Sequence, residues 1–190
     1  MEYLETKDLG KLFRTIYEAS KTSEAAKADH LIALLGFFTG ARISQILALR
    51  GEDITTVNET VVVKIHARKR GDDDFKDVHF DSDPAFDLSP LLLLAAKRGT
   101  SLLFGQSARS NFNTRLKKYC TAAGLHSDFG HSHVLRHSAA MAIYDATKRI
   151  GAVSHFLQHR SPATAFCYLK ENDGKSAQAA INSIRFTEAA

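Results

Sequence analysis

Apolar residues recur at intervals of three and four along most of the chain, and the interval drops to two over one stretch only. That single change of period restricts the fold to a body of helices interrupted by one small sheet. Thr6 stands as an N-cap ahead of Leu9, Leu12, Phe13, Ile16 and Tyr17, which predicts an amphipathic helix ending near Ser20. A second helix opens after Ser23 and carries Leu31, Ile32, Leu34, Leu35, Phe37 and Phe38 to Gly40. Ala41 to Arg50 has Ile43, Ile46, Leu47 and Leu49 on one side, predicting a third helix ended by Gly51. The period then changes. Thr60 to Ile65 is rich in β-branched residues, and beyond Gly71 and three aspartates Phe75 to Phe80 alternates, the pattern of a β-hairpin with a charged, exposed tip.

Downstream, Leu91 to Ala96 reads as helix, Leu102 to Phe104 as a short strand, and Ser107 to Ala123 as a polar-faced helix stopped by Gly124. Further helices are expected from His133 to about Asp145, from Lys148 to Leu157, in a short segment ending near Tyr168, and from Lys175 to Phe186. The fold class expected is mainly α with a small antiparallel hairpin or sheet, α+β in a loose sense.

The chain's 190 residues suit one domain or two tight lobes, long enough to fold without disulfide staples. No apolar run approaches the ~20 residues a bilayer span needs, and MEYLETKDLG lacks the basic start and apolar stretch of a secretory signal. The two cysteines, Cys120 and Cys167, form no C-x-x-C pair and fit a reduced, cytoplasmic setting. Lysine plus arginine outnumber the acids 25 to 21. Their clustering says more than the sum. Lys64, His66, Arg68, Lys69 and Arg70 crowd one segment, and Arg109, Arg115, Lys117 and Lys118 another, while Asp72, Asp73 and Asp74 confine the first basic face.

Nine histidines raise the question of a metal. His133 and His137, like His155 and His159, lie four apart, but neither pair encloses the Glu of a zinc-hydrolase helix, and no carboxylate stands at ligand spacing. No metal and no cofactor is expected, and no P-loop or dinucleotide glycine motif occurs. A different set suits phosphate. In HSHVLRHS, Arg136 follows His133 by three; in LQHRSPATAFCYLK, Tyr168 follows His159 by nine; and Arg42 stands in TGARIS. Two guanidiniums, two imidazoles and a phenol, with no carboxylate, match a phosphodiester better than a peptide or glycoside. Arginine presents a planar fork to non-bridging oxygens, fixed cations stabilise a phosphoryl transition state, and a tyrosine hydroxyl can form a covalent intermediate.

TGARISQILALRGEDI, HVLRHS and LQHRSPATAFCY resemble, in order and spacing, the three motif blocks of the tyrosine recombinase (phage integrase) family. The likeness covers residues 1–170, the expected catalytic domain. Residues 171–190 are expected to be a tail, with a helix exchanged with a neighbouring subunit. The resemblance implies that Arg42 and Arg136 clamp the scissile phosphate and that His133 takes part in proton transfer. It makes His159 a hydrogen-bond donor to the phosphate and Tyr168 the nucleophile. The family's hairpin lysine, which protonates the departing 5′-oxygen, corresponds to Lys69, with Lys64 as the alternative. Two positions depart from the family pattern: Gln45 stands where Glu is usual, and Gln158 where Gly is usual.

The function implied is site-specific recombination of double-stranded DNA, of integrase or invertase type, through a 3′-phosphotyrosyl link. It needs no metal, and the family works as a homotetramer on DNA, with monomers or weak oligomers otherwise. Lys64, Arg68, Arg70, Arg109, Arg115, Lys117 and Lys118 are the expected DNA-binding residues. Nucleoid association in the cytoplasm and no membrane partner follow. The resemblance also leads one to expect a preceding core-binding domain, which this sequence lacks, as a fragment or a short single-domain invertase does. Two other readings stay open: a type IB topoisomerase-like relaxase, and a catalytically idle DNA-binding module.

Overall fold

The computed structural model describes residues 3–66, 75–80, 87–105 and 108–158, with the backbone alone at 108–110. Tyr168, His159, the hairpin tip with Arg68, Lys69 and Arg70, and the expected tail helix lie outside the described residues, as does the side chain of Arg109.

Leu9, Leu12 and Ile16 form the buried stripe of α1 (Thr6–Ser20). The residue in cap position is Glu5, one place before Thr6. α2 (Glu24–Thr39) is capped by Ser23, whose Oγ accepts from the Ala26 N–H. It is apolar almost all round: Leu31, Ile32, Ala33, Leu34 and Leu35 are all buried, which makes α2 a central helix. It ends at Gly40, where φ is 63° and glycine meets no Cβ penalty.

The expected third helix is much shorter than its apolar pattern. α3 covers Ile43–Ile46 only; the chain then turns, and Arg50 forms a lone bridge to Leu102. In that turn Leu49 is buried and Leu47 partly so, with the Leu103 N–H donating to the Leu49 carbonyl. A 3-10 turn at Gly51–Asp53 leads into β1 (Ile54–Val57), a strand the periodicity did not reveal. β1 pairs with β2 (Thr60–His66), and β2 with β3 (Phe75–Phe80), both antiparallel, in the order β1-β2-β3. Asn58 and Glu59 join the first pair with φ of 47° and 65°, the double left-handed turn that follows sheet twist.

The register decides which residues face the helices. Ile54↔Val63 and Val63↔Val78 put one row inward, and the same alternation places Ile65 opposite Lys76 on that face. Lys64, paired with Asp77, belongs to the other face, where its ammonium lies 4.3 Å from the centre of the Phe75 ring.

α4 (Ser89–Arg98) packs on the 3-10 turn and β1. α5 (Ala108–Ala122) buries Phe112, Leu116 and Cys120 completely, four apart on one stripe. Burial pushes the Cys120 thiol up to about 11, so it is an inert core group. α6 (Ser132–Thr147) and α7 (Ile150–Phe156) complete the described helices. The chain divides into two compact units inside α6, one spanning Glu2–Ala139 and the other beginning at Ala140. The first holds the large core, from Leu4 to Leu135. In the second, Ala140, Val153 and Leu157 pack with Ile143, Tyr144, Ile150 and Phe156. Among the described residues no helix is long and apolar enough to cross a membrane.

Two contacts aim the first turns of α6. The Leu4 N–H donates to the Ser138 hydroxyl at 2.8 Å, and the Ser132 N–H to the Asn113 amide oxygen at 3.0 Å. Ahead of them Gly130 lies against α5, where a Cβ would collide with the main-chain Cα and nitrogen of Lys117. Gly130→Ala is expected to lower stability by about 1–3 kcal/mol, because the clash is with main chain that cannot rotate away. Urea unfolding measures this as a lower midpoint at unchanged slope; an unaltered midpoint would show that the approach is looser than described.

Candidate active site

The end of α2 is a shelf of main-chain carbonyls on which cationic side chains gather. Thr39 is buried and sends its hydroxyl back to the Leu35 carbonyl, while the same oxygen accepts from the Ala41 N–H. Gly40 then reverses the chain, and Arg42 follows in extended conformation at the cap of α3. The Arg136 guanidinium reaches the shelf from α6, donating through Nη1 to the Gly40 carbonyl. Its residue is only 5% exposed. The site thus joins Arg136 to the loop bearing Arg42 across 96 positions of sequence.

Gln45 braces that loop. Its Oε1 accepts from the Arg42 N–H at 3.0 Å, and its Nε2 donates to the His66 carbonyl at 2.9 Å. An amide does both; a carboxylate can only accept. Glutamine at this position therefore ties the Arg42 loop to the end of β2. His66 is held on its other side by Asp53, Nε2 to Oδ1 at 2.7 Å, and Asp53 in turn accepts from the Arg50 N–H.

His133 stands exposed on the first turn of α6, one turn ahead of His137, whose ring lies 6.4 Å away and nearly parallel. Arg136, three residues on, is turned inward. The helix therefore presents an accessible imidazole beside a buried guanidinium.

One residue of this shelf escaped the sequence reading. Lys76, half-buried on the inner face of β3, donates from Nζ to the Thr39 carbonyl at 3.4 Å. Burial, and after it the nearby Arg136 guanidinium, hold its ammonium down to about 8. The signal was present: strict alternation with Val78 and Phe80 places a lysine where an apolar side chain is the rule. Lys64 lies on the opposite sheet face and is not part of this shelf.

Of the expected DNA-binding residues, Lys117 and Lys118 are exposed on α5, with Lys117 against the loop that leads to His133. Arg115 is engaged elsewhere. Its Nε and Nη2 donate to the two oxygens of Asp29 at 2.5 and 2.7 Å, and the Tyr119 hydroxyl adds a third bond at 3.0 Å. Asp29 is completely buried, so this fork fastens α5 to α2 and is not at hand for a phosphate. The Asp29 hydrogen bond raises the Arg115 guanidinium, and burial pushes Tyr119 up to about 12.

Comparison with known proteins converges on one family. The sequence model described as "Phage integrase family" matches residues 9–175. The tyrosine recombinase XerH of Campylobacter jejuni is 23% identical over 184 residues, covering 92% of this chain and 49% of XerH. Among solved structures, XerH bound to palindromic difH substrate, a post-cleavage complex, superposes with a TM-score of 0.76 at 23% identity over 94% of this chain and 52% of that one. XerA recombinase gives 0.72 at 20% identity over 98% and 65%. The Tn1549 transposon integrase in complex with transposon right end DNA gives 0.66 at 14% identity over 96% and 66%. These likenesses establish the fold: helices around a three-stranded antiparallel sheet, as in those recombinases. The chain spans about half the length of XerH.

Proposed function

The chain belongs to the phage integrase family, and from that membership we propose that it cuts and rejoins double-stranded DNA through a covalent bond between Tyr168 and a 3′-phosphate. The observation that carries the reading is the buried Arg136, held on the Gly40 carbonyl two residues before Arg42 and one helical turn after His133. The Arg136 guanidinium, held by main chain beside the loop that carries Arg42, is pre-organised for the non-bridging oxygens of a phosphodiester. Each charge-assisted hydrogen bond contributes about 1.5–3 kcal/mol, and more as charge builds on those oxygens in the transition state.

In the proposed reaction the Tyr168 hydroxyl oxygen attacks phosphorus and the bond to the 5′-oxygen breaks. His133 receives the phenol proton, Lys69 supplies the proton that makes the 5′-hydroxyl, and His159 donates to the phosphate. The phosphotyrosyl ester conserves the bond, so a 5′-hydroxyl from another strand can reverse the attack without ATP. Lys64, Arg68, Arg70, Arg109, Lys117 and Lys118 are proposed to meet the duplex, with tetramers forming on it and residues 171–190 passing to a neighbouring subunit.

The test is a nicked suicide duplex, which traps the covalent species, followed by peptide mapping. The expected product is one DNA-linked peptide containing Tyr168, formed equally in EDTA. Absence of any adduct would leave a DNA-binding module, and linkage through another residue would overturn the nucleophile. Relaxation of plasmids without a target site by monomers would instead favour a topoisomerase.

A further inference from the structure

We propose that Gln45 is a positioning residue of this site: its carboxamide couples the Arg42 loop to the end of β2, and the reaction depends on both arms of that amide. The inference rests on the DNA-cutting reading for the reaction, but on its own geometry for the residue. Gln45 is the third residue of α3, and its side chain folds back so that Oε1 accepts from the Arg42 N–H at 3.0 Å. The Arg42 carbonyl accepts in turn from the Gln45 and Ile46 N–H groups, at 2.8 and 3.1 Å. The main chain that carries this guanidinium is therefore held at both of its polar groups. The other arm, Nε2, donates to the His66 carbonyl at 2.9 Å.

The partners leave the amide a single orientation. A main-chain N–H only donates and a main-chain carbonyl only accepts, so the oxygen faces Arg42 and the nitrogen faces His66. His66 is a firm anchor. It is the last residue of β2 and pairs with Phe75 of β3. Its ring is bound by the buried Asp53, which also takes the Arg50 N–H. Gln45 thus refers the position of Arg42 to the sheet, while Arg136 refers to the same loop through the Gly40 carbonyl. The aim matters because a displacement of about 1 Å at a reacting centre can slow a reaction by about a hundredfold.

Glutamate has the same shape and changes one arm only. Its carboxylate keeps the bond from the Arg42 N–H, but sets a second oxygen against the His66 carbonyl with no proton between them. A purely local role for Gln45, capping α3, is served by glutamate as well as by glutamine. The two roles therefore predict different results for Gln45→Glu. A cap leaves the protein unchanged, whereas a coupling between loop and sheet is broken. In this chain the substitution that installs the residue usual at this position in the family is expected to be the harmful one.

The test compares wild type, Gln45→Glu and Gln45→Met as full chains at neutral pH. It reads single-turnover adduct formation on saturating suicide duplex, duplex affinity, melting temperature and amide hydrogen exchange. Gln45→Glu is expected to form adduct about tenfold more slowly, the loss that one hydrogen bond replaced by an unmet acceptor carries, with affinity and melting temperature unchanged. Its Arg42 N–H should stay as protected as in wild type. Exchange should quicken at the last two β2–β3 pairs, Ile65↔Lys76 and His66↔Phe75, one of which is hydrogen-bonded in an alternating antiparallel ladder. Gln45→Met, with neither arm, should lose the Arg42 protection as well and react more slowly still. A Gln45→Glu protein that cleaves as fast as wild type, or is slow only through weaker duplex binding or a lower melting temperature, overturns the proposal. If the wild type forms no adduct, the DNA-cutting reading fails, and exchange alone decides the coupling: an unaltered β2 end in Gln45→Glu overturns it.

Discussion

Arg136→Ala is expected to slow formation of the DNA adduct by about a thousandfold, the scale on which pre-organised donors to a developing oxyanion act, or about 4 kcal/mol of transition-state stabilisation. The size follows from burial: a guanidinium that is 5% exposed loses little to competing water and is aimed before DNA arrives. Arg136→Lys separates charge from geometry. Lysine keeps the cation but not the fork, and its shorter reach leaves the Gly40 carbonyl unmet, so roughly a hundredfold loss should persist. Single-turnover rates on the suicide duplex measure both. If Arg136→Ala cleaves within tenfold of wild type while melting normally, Arg136 is a structural side chain and the phosphate clamp lies elsewhere.

Arg115→Met, by contrast, should damage the fold and leave DNA recognition alone. It strands the fully buried Asp29 carboxylate with only the Tyr119 hydroxyl. Breaking a buried pair from one side destabilises by about 3–5 kcal/mol, which in a domain of this size lowers the melting temperature by roughly 10 °C. Asp29→Leu combined with Arg115→Met should recover most of the loss, since apolar groups of similar volume often replace a buried pair at no net change. The double variant should then bind DNA with the wild-type salt dependence. A contact to phosphate would instead reduce the log–log salt slope by about 0.9. Lys117→Gln and Lys118→Gln are the variants expected to show that reduction. A reduced slope in the folded double variant would restore Arg115 to the DNA-binding set.

The helices were legible because each carries its own signal. Leu9, Leu12 and Ile16 need no distant partner to announce a helix face, and α2 declares its burial by being apolar all round. Ile43 to Leu49 misled for a physical reason: four apolar residues at helical spacing are also what a tight turn with two buried sides presents, and a bridge from Arg50 to Leu102 ended the helix early. β1 was missed because Ile54–Val57 buries only Ile54, and its turn uses Asn58 and Glu59 without the glycine that usually marks a hairpin.

The linear sequence by itself determined the order of the described helices, the place of the described sheet among them, and the family, because motif spacing and side-chain period are properties of a chain read in one dimension. Only the tertiary structure decided which cations serve which purpose. Arg115 was one basic residue among several until the packing of α5 on α2 set a buried carboxylate against it. Lys76 was a strand lysine until the register of β3 turned it toward a helix end already holding Arg136. A charge takes its meaning from its neighbours and from the water removed around it, and both are set by residues far away along the chain.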